Sequence, residues 1–286
     1  MEISGKTNKY AVLGHPIGHS LSPVMHNASL RSLREDGIYL AFDVHPDALM
    51  DVLSAMEKMG FSGVNLTVPL KEVARRGLED IDESAWLLGA VNTVEFGENG
   101  MVGHNTDGYG FVRALQEAFN IELAGLSVFV LGCGGAGRAV ALTCADLGAD
   151  AIVLSDVDLD KVALLESEID DLGAQSAIAV PRSPAEQIEL CRQADLLVQA
   201  SPIGMKPDDP CLLGPEAFRP GQYAFDLIYM YPETAIMQAA RSSGALVANG
   251  LGMLLHQGAR AYEIWTGRQA DAAAMRTALE EAVYGR

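Results

Sequence analysis

Short apolar runs alternate with stretches whose apolar positions return every three or four residues along most of the chain. The runs at 10–14, 39–44, 63–68, 91–96 and 101–105 are bounded by Gly, Pro, Asn or Asp and predict strands. Helical spacing fills 23–34, 46–59 and 71–76. The middle of the chain repeats the scheme, with strands predicted at 127–132, 151–156, 176–180, 196–200, 223–228 and 245–248. Such alternation predicts an α/β protein with largely parallel sheets. From Gly252 onward the chain is Ala-rich and helical, with no strand left to pair. A domain boundary is expected near Asp107 and Gly108, with a helix over 109–119 joining two α/β domains. The pattern alone does not say where the last helices pack.

Charge narrows the function classes. The 286 residues carry 20 Lys and Arg against 38 Asp and Glu, a net charge of −18. Residues 1–107 hold 8 basic and 15 acidic side chains, so neither part offers a basic stripe for a phosphate backbone or an anionic lipid surface. Nucleic-acid and membrane-surface partners are therefore not expected. No apolar run reaches membrane-spanning length, and the polar residues 1–9 lack the apolar core of a secretory signal. Cys133, Cys144, Cys191 and Cys211 form no C-x-x-C pair and read as free thiols in a reducing cytoplasm.

The strongest local motif follows the strand predicted at 127–132. Gly132, Gly134 and Gly137 stand in a G-x-G-x-x-G pattern, with Gly135 and Ala136 inside it and a helical stretch after it. Gly132 permits the tight turn, Gly134 lets a pyrophosphate approach the backbone, and Gly137 lets helix and strand pack closely. The helix N-terminus supplies N–H donors for phosphates. Asp156 ends the next strand, where a carboxylate can accept from an adenosine ribose diol. Asp158 and Asp160 follow it, and no Arg lies between 155 and 160, although Lys161 comes next. The expectation is NAD rather than NADP, because a 2′-phosphate would meet negative charge. The plainer alternative is that Asp156 merely starts a turn or caps the next helix, and Asp158 could equally be that cap.

Four polar clusters mark the first part. Residues 14–27 contain Ser20 and Ser22 before Pro23, and Ser22 reads either as a ligand group or as a helix cap. Residues 65–71 run Asn-Leu-Thr-Val-Pro-Leu-Lys, ending in Lys71. Residues 89–93 and 103–108 contain Asn92 and Asp107. His15, His19, His26, His104 and His256 lie in or near such motifs, but no carboxylate or Cys stands at metal-ligand spacing beside them, so no metal is expected.

In order, the motifs G-x-P-I-x-H-S-x-S-P-x-x-H-N, N-x-T-V-P-x-K, G-A-x-N-T and N-T-D-G resemble those of the shikimate dehydrogenase family. So do the glycine loop, the Ser-Pro-Ile-Gly-Met stretch at 201–205, Asp-Leu-Ile-Tyr at 226–229 and the stretch at 249–257. The resemblance spans nearly the whole chain. It implies an α/β fold of two domains. An N-terminal α/β substrate domain would cover 1–107, with helices 249–286 packing back onto it. A Rossmann-like, doubly wound dinucleotide-binding domain would cover 108–248. The implied reaction is reversible hydride transfer between a ring carbinol of shikimate and a nicotinamide.

By that resemblance Lys71 and Asp107 are the catalytic pair. Ser20 and Ser22 bond the substrate carboxylate, with Tyr229 on the same side, and Thr67, Asn92 and Gln257 bond ring hydroxyls or orient the pair. Ser201 and Gly250 lie in the cofactor motifs, and Met205 and Met253 either flank the nicotinamide or are ordinary core methionines. An alcohol losing hydride needs a base, and the returning ketone needs an acid, which suits an amine beside a carboxylate.

The chain departs from the commonest family pattern in one place. Biosynthetic members usually carry Asn-Arg-Thr after the second nucleotide-domain strand, and here the position holds Ser155, Asp156 and Val157. That resembles the NAD-using quinate/shikimate branch and again implies NAD. Ser22, where quinate-preferring relatives often have Thr, tilts the substrate toward shikimate. Quinate as main substrate and a non-catalytic NAD and ring-acid sensor are the alternatives. The partner implied is a small molecule, shikimate or quinate, and a homodimer is left open.

Overall fold

The computed structural model describes residues 3–98, 100–206 and 208–285. The chain forms two compact units, Met1–Gly110 with Leu254–Arg286, and Phe111–Met253.

The first unit is built on six strands: β1 (Asn8–Gly14), β2 (Gly37–Asp43), β3 (Phe61–Leu66), β4 (Asp80–Ile81), β5 (Thr93–Gly97) and β6 (Gly100–His104). Their order is β2-β1-β3-β5-β6-β4. The pairs β1–β2, β1–β3 and β4–β6 are parallel, whereas β3–β5 and β5–β6 are antiparallel. This sheet is therefore mixed. Only two residues separate β5 from β6, and so short a connection can only make an antiparallel pair. Helices α1 (Ser22–Ser32), α2 (Leu49–Lys58), α3 (Leu70–Gly77) and α4 (Glu83–Leu87) fill the crossovers, and α5 (Asp107–Phe119) carries the chain out of this unit.

Side chains alternate across β1. Ala11 and Leu13, with Val64 and Leu66 of β3, pack on Leu49, Leu53 and Met56 of α2 and on Leu70 and Ala74 of α3. Tyr10 and Val12 point the other way and join Tyr39 and Leu30.

The second unit is a wholly parallel sheet of β7 (Ser127–Leu131), β8 (Ala151–Ser155), β9 (Ala177–Ala179), β10 (Leu196–Gln199), β11 (Tyr223–Asp226) and β12 (Leu246–Asn249). Its order, β12-β11-β10-β7-β8-β9, is that of a doubly wound dinucleotide-binding sheet, with the switch point between β7 and β10. Helices α6 (Gly135–Asp146), α7 (Leu159–Asp171), α8 (Pro184–Gln193) and α9 (Ala235–Ser242) connect the strands. Phe129, Leu197, Ala224 and Ile236 share one core cluster.

The last two helices, α10 (Leu251–Thr266) and α11 (Ala272–Tyr284), return to the first unit. Tyr262 of α10 is buried with Tyr10 and Tyr39, and Trp265 donates its Nε1–H to the Val94 carbonyl at 3.0 Å. Gly63 makes room for that indole, since a Cβ there would lie 2.1 Å from Trp265 Cδ1. Asp271 caps α11 and also ties it to α1: it accepts the Ser32 hydroxyl at 2.5 Å, and its backbone N–H donates to Ser29 Oγ at 2.9 Å.

Candidate active site

Backbone pairing brings the first-unit clusters together. The Thr67 N–H donates to the Leu13 carbonyl at 2.9 Å, Leu66 to Asn92 at 2.8 Å, Val91 to Lys71 at 3.0 Å and Asn92 to His104 at 3.0 Å. The ends of β1, β3, β5 and β6 thus converge. Pro69 precedes α3, which sets Lys71 in its first turn. Asp107 is the first residue of α5, and its backbone N–H is taken by Asn105 Oδ1 at 2.9 Å.

At this meeting point Lys71 Nζ donates to Asp107 Oδ2 at 2.6 Å. The other oxygen, Oδ1, accepts from Asn92 Nδ2 at 2.9 Å. The side chains of Lys71 and Asp107 are 27% and 15% exposed, enough for a ligand to reach them and too little for free hydration. Asn92 is buried and also bonds Thr106: its Oδ1 accepts the Thr106 backbone N–H at 2.9 Å, and its Nδ2 donates to Thr106 Oγ1 at 3.0 Å. The structure therefore brings together Lys71, Asp107 and Asn92.

The remaining first-unit candidates are placed less tightly. Ser22 opens α1, but Leu21 occupies the cap position and no side chain caps that end, so the helix-cap alternative for Ser22 does not hold. The Ser20 hydroxyl accepts the Ser22 N–H at 3.3 Å. Thr67 is half-buried at the end of β3, with its Cγ2 against Gly14. Gln257 lies on α10 and donates to the Leu254 carbonyl at 2.9 Å. Among the described residues no three His, Cys, Asp or Glu side chains gather as a metal-holding group.

In the second unit Gly132 has φ +102°, and a Cβ there would come within 2.6 Å of the Ser201 nitrogen. A Cβ on Gly137 would sit 1.8 Å from the Gly132 carbonyl oxygen. By contrast, a Cβ on Gly134 or Gly135 meets nothing within 4 Å. The loop is therefore close-packed beneath and open above, at the N-terminus of α6. It faces a cleft of about 650 Å³ lined by Gly132, Gly134, Asp156, Lys161, Arg182 and Ser201 among others. An open cradle of backbone N–H groups with two cations in its walls fits a dinucleotide phosphate chain.

The other second-unit candidates surround neighbouring loops. Gln199 holds the segment after β10, accepting from Ser201 N at 2.8 Å and donating to the Ile203 carbonyl at 2.8 Å. Met205 ends this segment with an exposed side chain, and its carbonyl accepts from the Tyr231 hydroxyl at 3.0 Å. Burial raises the pKa of Tyr229. Gly250 cannot carry a side chain, since a Cβ would meet the Leu227 carbonyl oxygen at 2.1 Å. Ala136 and Met253 lie at the start of α6 and of α10. Asp226 is buried at the end of β11, where it accepts from Thr234 Oγ1 at 2.5 Å and from the Ile228 N–H at 3.0 Å.

Sequence reasoning passed over several of these groups. Asn65 stood inside a noted motif, and its signal was a polar residue at a buried strand position. Arg182 and Gln199 reach their positions only through the sheet order and carried no local signal.

The fold and site define a two-unit α/β oxidoreductase of the dinucleotide-dependent class, with a lysine–carboxylate pair in one unit and a glycine loop in the other. Comparisons with known proteins make the family specific. Residues 12–94 match the shikimate dehydrogenase substrate binding domain, and residues 250–280 match the shikimate 5'-dehydrogenase C-terminal domain. The chain is 39% identical over 98% of both chains to the shikimate dehydrogenase (NADP(+)) of Methanopyrus kandleri. It superposes with a TM-score of 0.85 on the Thermus thermophilus shikimate 5-dehydrogenase solved with NADP(H) and shikimate, at 38% identity, covering 96% of this chain and 100% of that one. A shikimate dehydrogenase solved with NADP+ matches with a TM-score of 0.89 at 33% identity, covering 99% and 98%. The chain belongs to the shikimate dehydrogenase family.

These relatives overturn the expectation of NAD. The curated relative is named for NADP(+), and both solved structures hold NADP. The acids that suggested NAD have local partners. Asp156 Oδ2 accepts the Cys133 N–H at 2.6 Å and Oδ1 accepts the Asp158 N–H at 2.9 Å, so both oxygens clasp the loop backbone. Asp158 caps α7 and pairs with Lys161 at 3.1 Å. Lys161 and Arg182 line the same cleft, so its charge is not the purely acidic one read from 155–160.

Proposed function

We propose that this chain catalyses the reversible, NADP-dependent oxidation of shikimate to 3-dehydroshikimate. The observation that carries the reading is Lys71 held at 2.6 Å on Asp107, whose second oxygen is bonded by Asn92. In the oxidising direction the unprotonated Lys71 amine takes the carbinol proton, and in the reducing direction the ammonium returns it to the ketone oxygen. The ammonium also stabilises negative charge growing on that oxygen. Asp107 holds Nζ in place, and Asn92 holds Asp107. When bound, NADP supplies the hydride acceptor.

The unit Met1–Gly110 with Leu254–Arg286 is assigned to substrate, and Phe111–Met253 to the dinucleotide. Ser20 and Ser22 anchor the carboxylate, while Thr67, Asn92 and Gln257 meet ring hydroxyls. Neutral hydroxyls and amides placed in fixed directions can select a polyhydroxylated ring acid. The N–H groups at Gly134, Gly135, Ala136 and Gly137 hold the pyrophosphate, with Ser201, Gly250, Met205 and Met253 on the nicotinamide side. Lys161 and Arg182 hold the extra phosphate. A reducing cytoplasm suits the four free cysteines, three of them buried.

The direct test is reduced-nicotinamide absorbance on mixing protein, NADP and shikimate, with quinate as the comparison substrate. Turnover of shikimate is expected, and binding of both ligands without turnover rejects the reading. Lys71→Ala is expected to lower kcat by about 10²- to 10⁴-fold with NADP affinity unchanged. For the phosphate, calorimetry compares 2′,5′-ADP with 5′-ADP. Replacing Lys161 and Arg182 by Ala together should weaken 2′,5′-ADP at least about tenfold and leave 5′-ADP unchanged. Equal loss for both ligands removes the phosphate role.

A further inference from the structure

Behind Asp107 runs a chain of hydrogen bonds that ends at the Tyr39 hydroxyl. Tyr39 of β2 donates its hydroxyl to Asn65 Oδ1 at 2.7 Å. The Asn65 amide then faces the other way, donating to Thr93 Oγ1 at 3.0 Å and to the Asn92 carbonyl at 3.2 Å. Thr93, having accepted, donates its own proton to Asn92 Oδ1 at 2.8 Å. With its oxygen occupied by Thr93 and by the Thr106 backbone N–H at 2.9 Å, Asn92 presents Nδ2 to Asp107 Oδ1 at 2.9 Å.

Every link runs in the same direction, and two backbone groups beside the chain, the Asn92 carbonyl and the Thr106 N–H, require that direction of the two amides as well. A phenol hydroxyl has one proton to donate, and an amide has distinct donor and acceptor ends. Reversing the Asn92 amide would set its oxygen against the carboxylate of Asp107. Tyr39, Asn65, Thr93 and Asn92 are 1%, 5%, 0% and 2% exposed, so bulk water cannot substitute for a missing partner.

Tyr39 is itself firmly held. Asn27 accepts its backbone N–H at 3.0 Å and donates to its carbonyl at 2.8 Å. His26 stacks flat on its ring, with centroids 4.1 Å apart and planes 2° from parallel. The Ser22 side chain is another polar neighbour of its hydroxyl. Two residues of the 14–27 motif, His26 and Asn27, thereby acquire a purpose that no contact with a ligand requires of them.

We propose that Tyr39 is a positioning residue for the Lys71–Asp107 pair, acting through Asn65, Thr93 and Asn92 to hold in place the amide that donates to Asp107. The proposal rests on the catalytic reading of that pair. Tyr39 touches none of the reacting groups. Its hydroxyl closes the far end of the chain, and the chain holds the carboxylate where the Lys71 amine must be held.

The experiment measures kcat and both KM values for Tyr39→Phe, Thr93→Val, Thr93→Ser and the double variant Tyr39→Phe with Thr93→Val. Tyr39→Phe and Thr93→Val should each lower kcat about tenfold, with KM for NADP unchanged. Thr93→Ser, which restores the hydroxyl, should recover most of the loss. The double variant should fall no further than the weaker single one, because both cut the same chain. Parental kcat in both single variants, a double variant reduced about a hundredfold as for independent effects, or no recovery in Thr93→Ser overturns the proposal. Should Tyr39→Phe fail to fold, the Thr93 pair decides by itself. Lys71→Ala in the same assay separates the two readings. Parental kcat there defeats the catalytic pair, whereas an inactive Lys71→Ala beside parental Tyr39→Phe and Thr93→Val defeats the chain alone.

Discussion

His26 shows what one buried side chain does to the pH dependence of this protein. Its ring lies fully inside the first unit against Tyr39, and Nε2 has no hydrogen-bond partner among the described residues. Burial pushes its pKa down to about 3. In the unfolded chain an imidazole titrates near about 6.5. Between those values the unfolded state binds the extra proton, so stability falls as pH drops from about 6.5 toward 3. Thermal melts of the parent and of His26→Phe should diverge in that window, the variant losing less. Parallel curves would show that His26 does not titrate this way.

Asp226 carries the opposite sign. Burial lifts its carboxyl to about 6, above the unfolded carboxylate value, so its neutral form is favoured in the fold. Its contribution is fully present below the unfolded value and is lost as pH rises through about 6. Asp226→Asn should remove that slope, as read from denaturant midpoints between the two values. A variant keeping the parental slope would assign it elsewhere.

At the scale of elements, the glycine loop separates structural from functional need. Gly137 must lack a side chain because a Cβ would sit 1.8 Å from the Gly132 carbonyl oxygen, between β7 and α6. Gly137→Ala should therefore destabilise the fold by the overpacking penalty of about 1–3 kcal/mol, read as a lowered melting temperature. Gly134 has φ −70° and open space around its Cβ position. Gly134→Ala should melt like the parent while binding 2′,5′-ADP more weakly, because its methyl occupies the phosphate's approach. A stable Gly137→Ala, or a Gly134→Ala with parental binding, would contradict this division of labour.

Elements were legible where their signal was local. The glycine loop between β7 and α6 declared itself through residues five positions apart at most, and α1 through Pro23. The short β4 did not, because Asp80–Ile81 is a strand only by pairing with β6. The antiparallel placing of β5 was equally hidden, since apolar runs carry no direction. The inference of NAD from Asp156 failed for a related reason. An acid after a strand looks alike whether it awaits a ribose or accepts two backbone N–H groups, and only the folded loop tells these apart.

The whole molecule consists of two units, each with its own sheet and its own buried core. Ligands that bind the native state stabilise what they touch. In hydrogen exchange, 2′,5′-ADP should protect amides within 111–253, and shikimate should protect those of 1–110 and 254–286. Protection in the reverse pattern would overturn the assignment of the two units. The net charge of −18 makes local placement decisive for any anion, and Lys161 and Arg182 place positive charge in the cleft lining itself.

By itself the sequence determined the α/β class, the two sheets, the glycine loop and the motifs that carry Lys71 and Asp107, because strand runs, turn glycines and short motifs are written within a few neighbouring residues. Only the tertiary structure decided what surrounds them. It set Lys71 and Asp107 at 2.6 Å, gave Asp156 to the loop backbone, brought Arg182 into the cleft and lined up Tyr39, Asn65, Thr93 and Asn92 behind Asp107. A hydrogen bond needs two groups within about 3 Å, and groups tens of residues apart acquire that distance only when strand order and crossover bring their ends together.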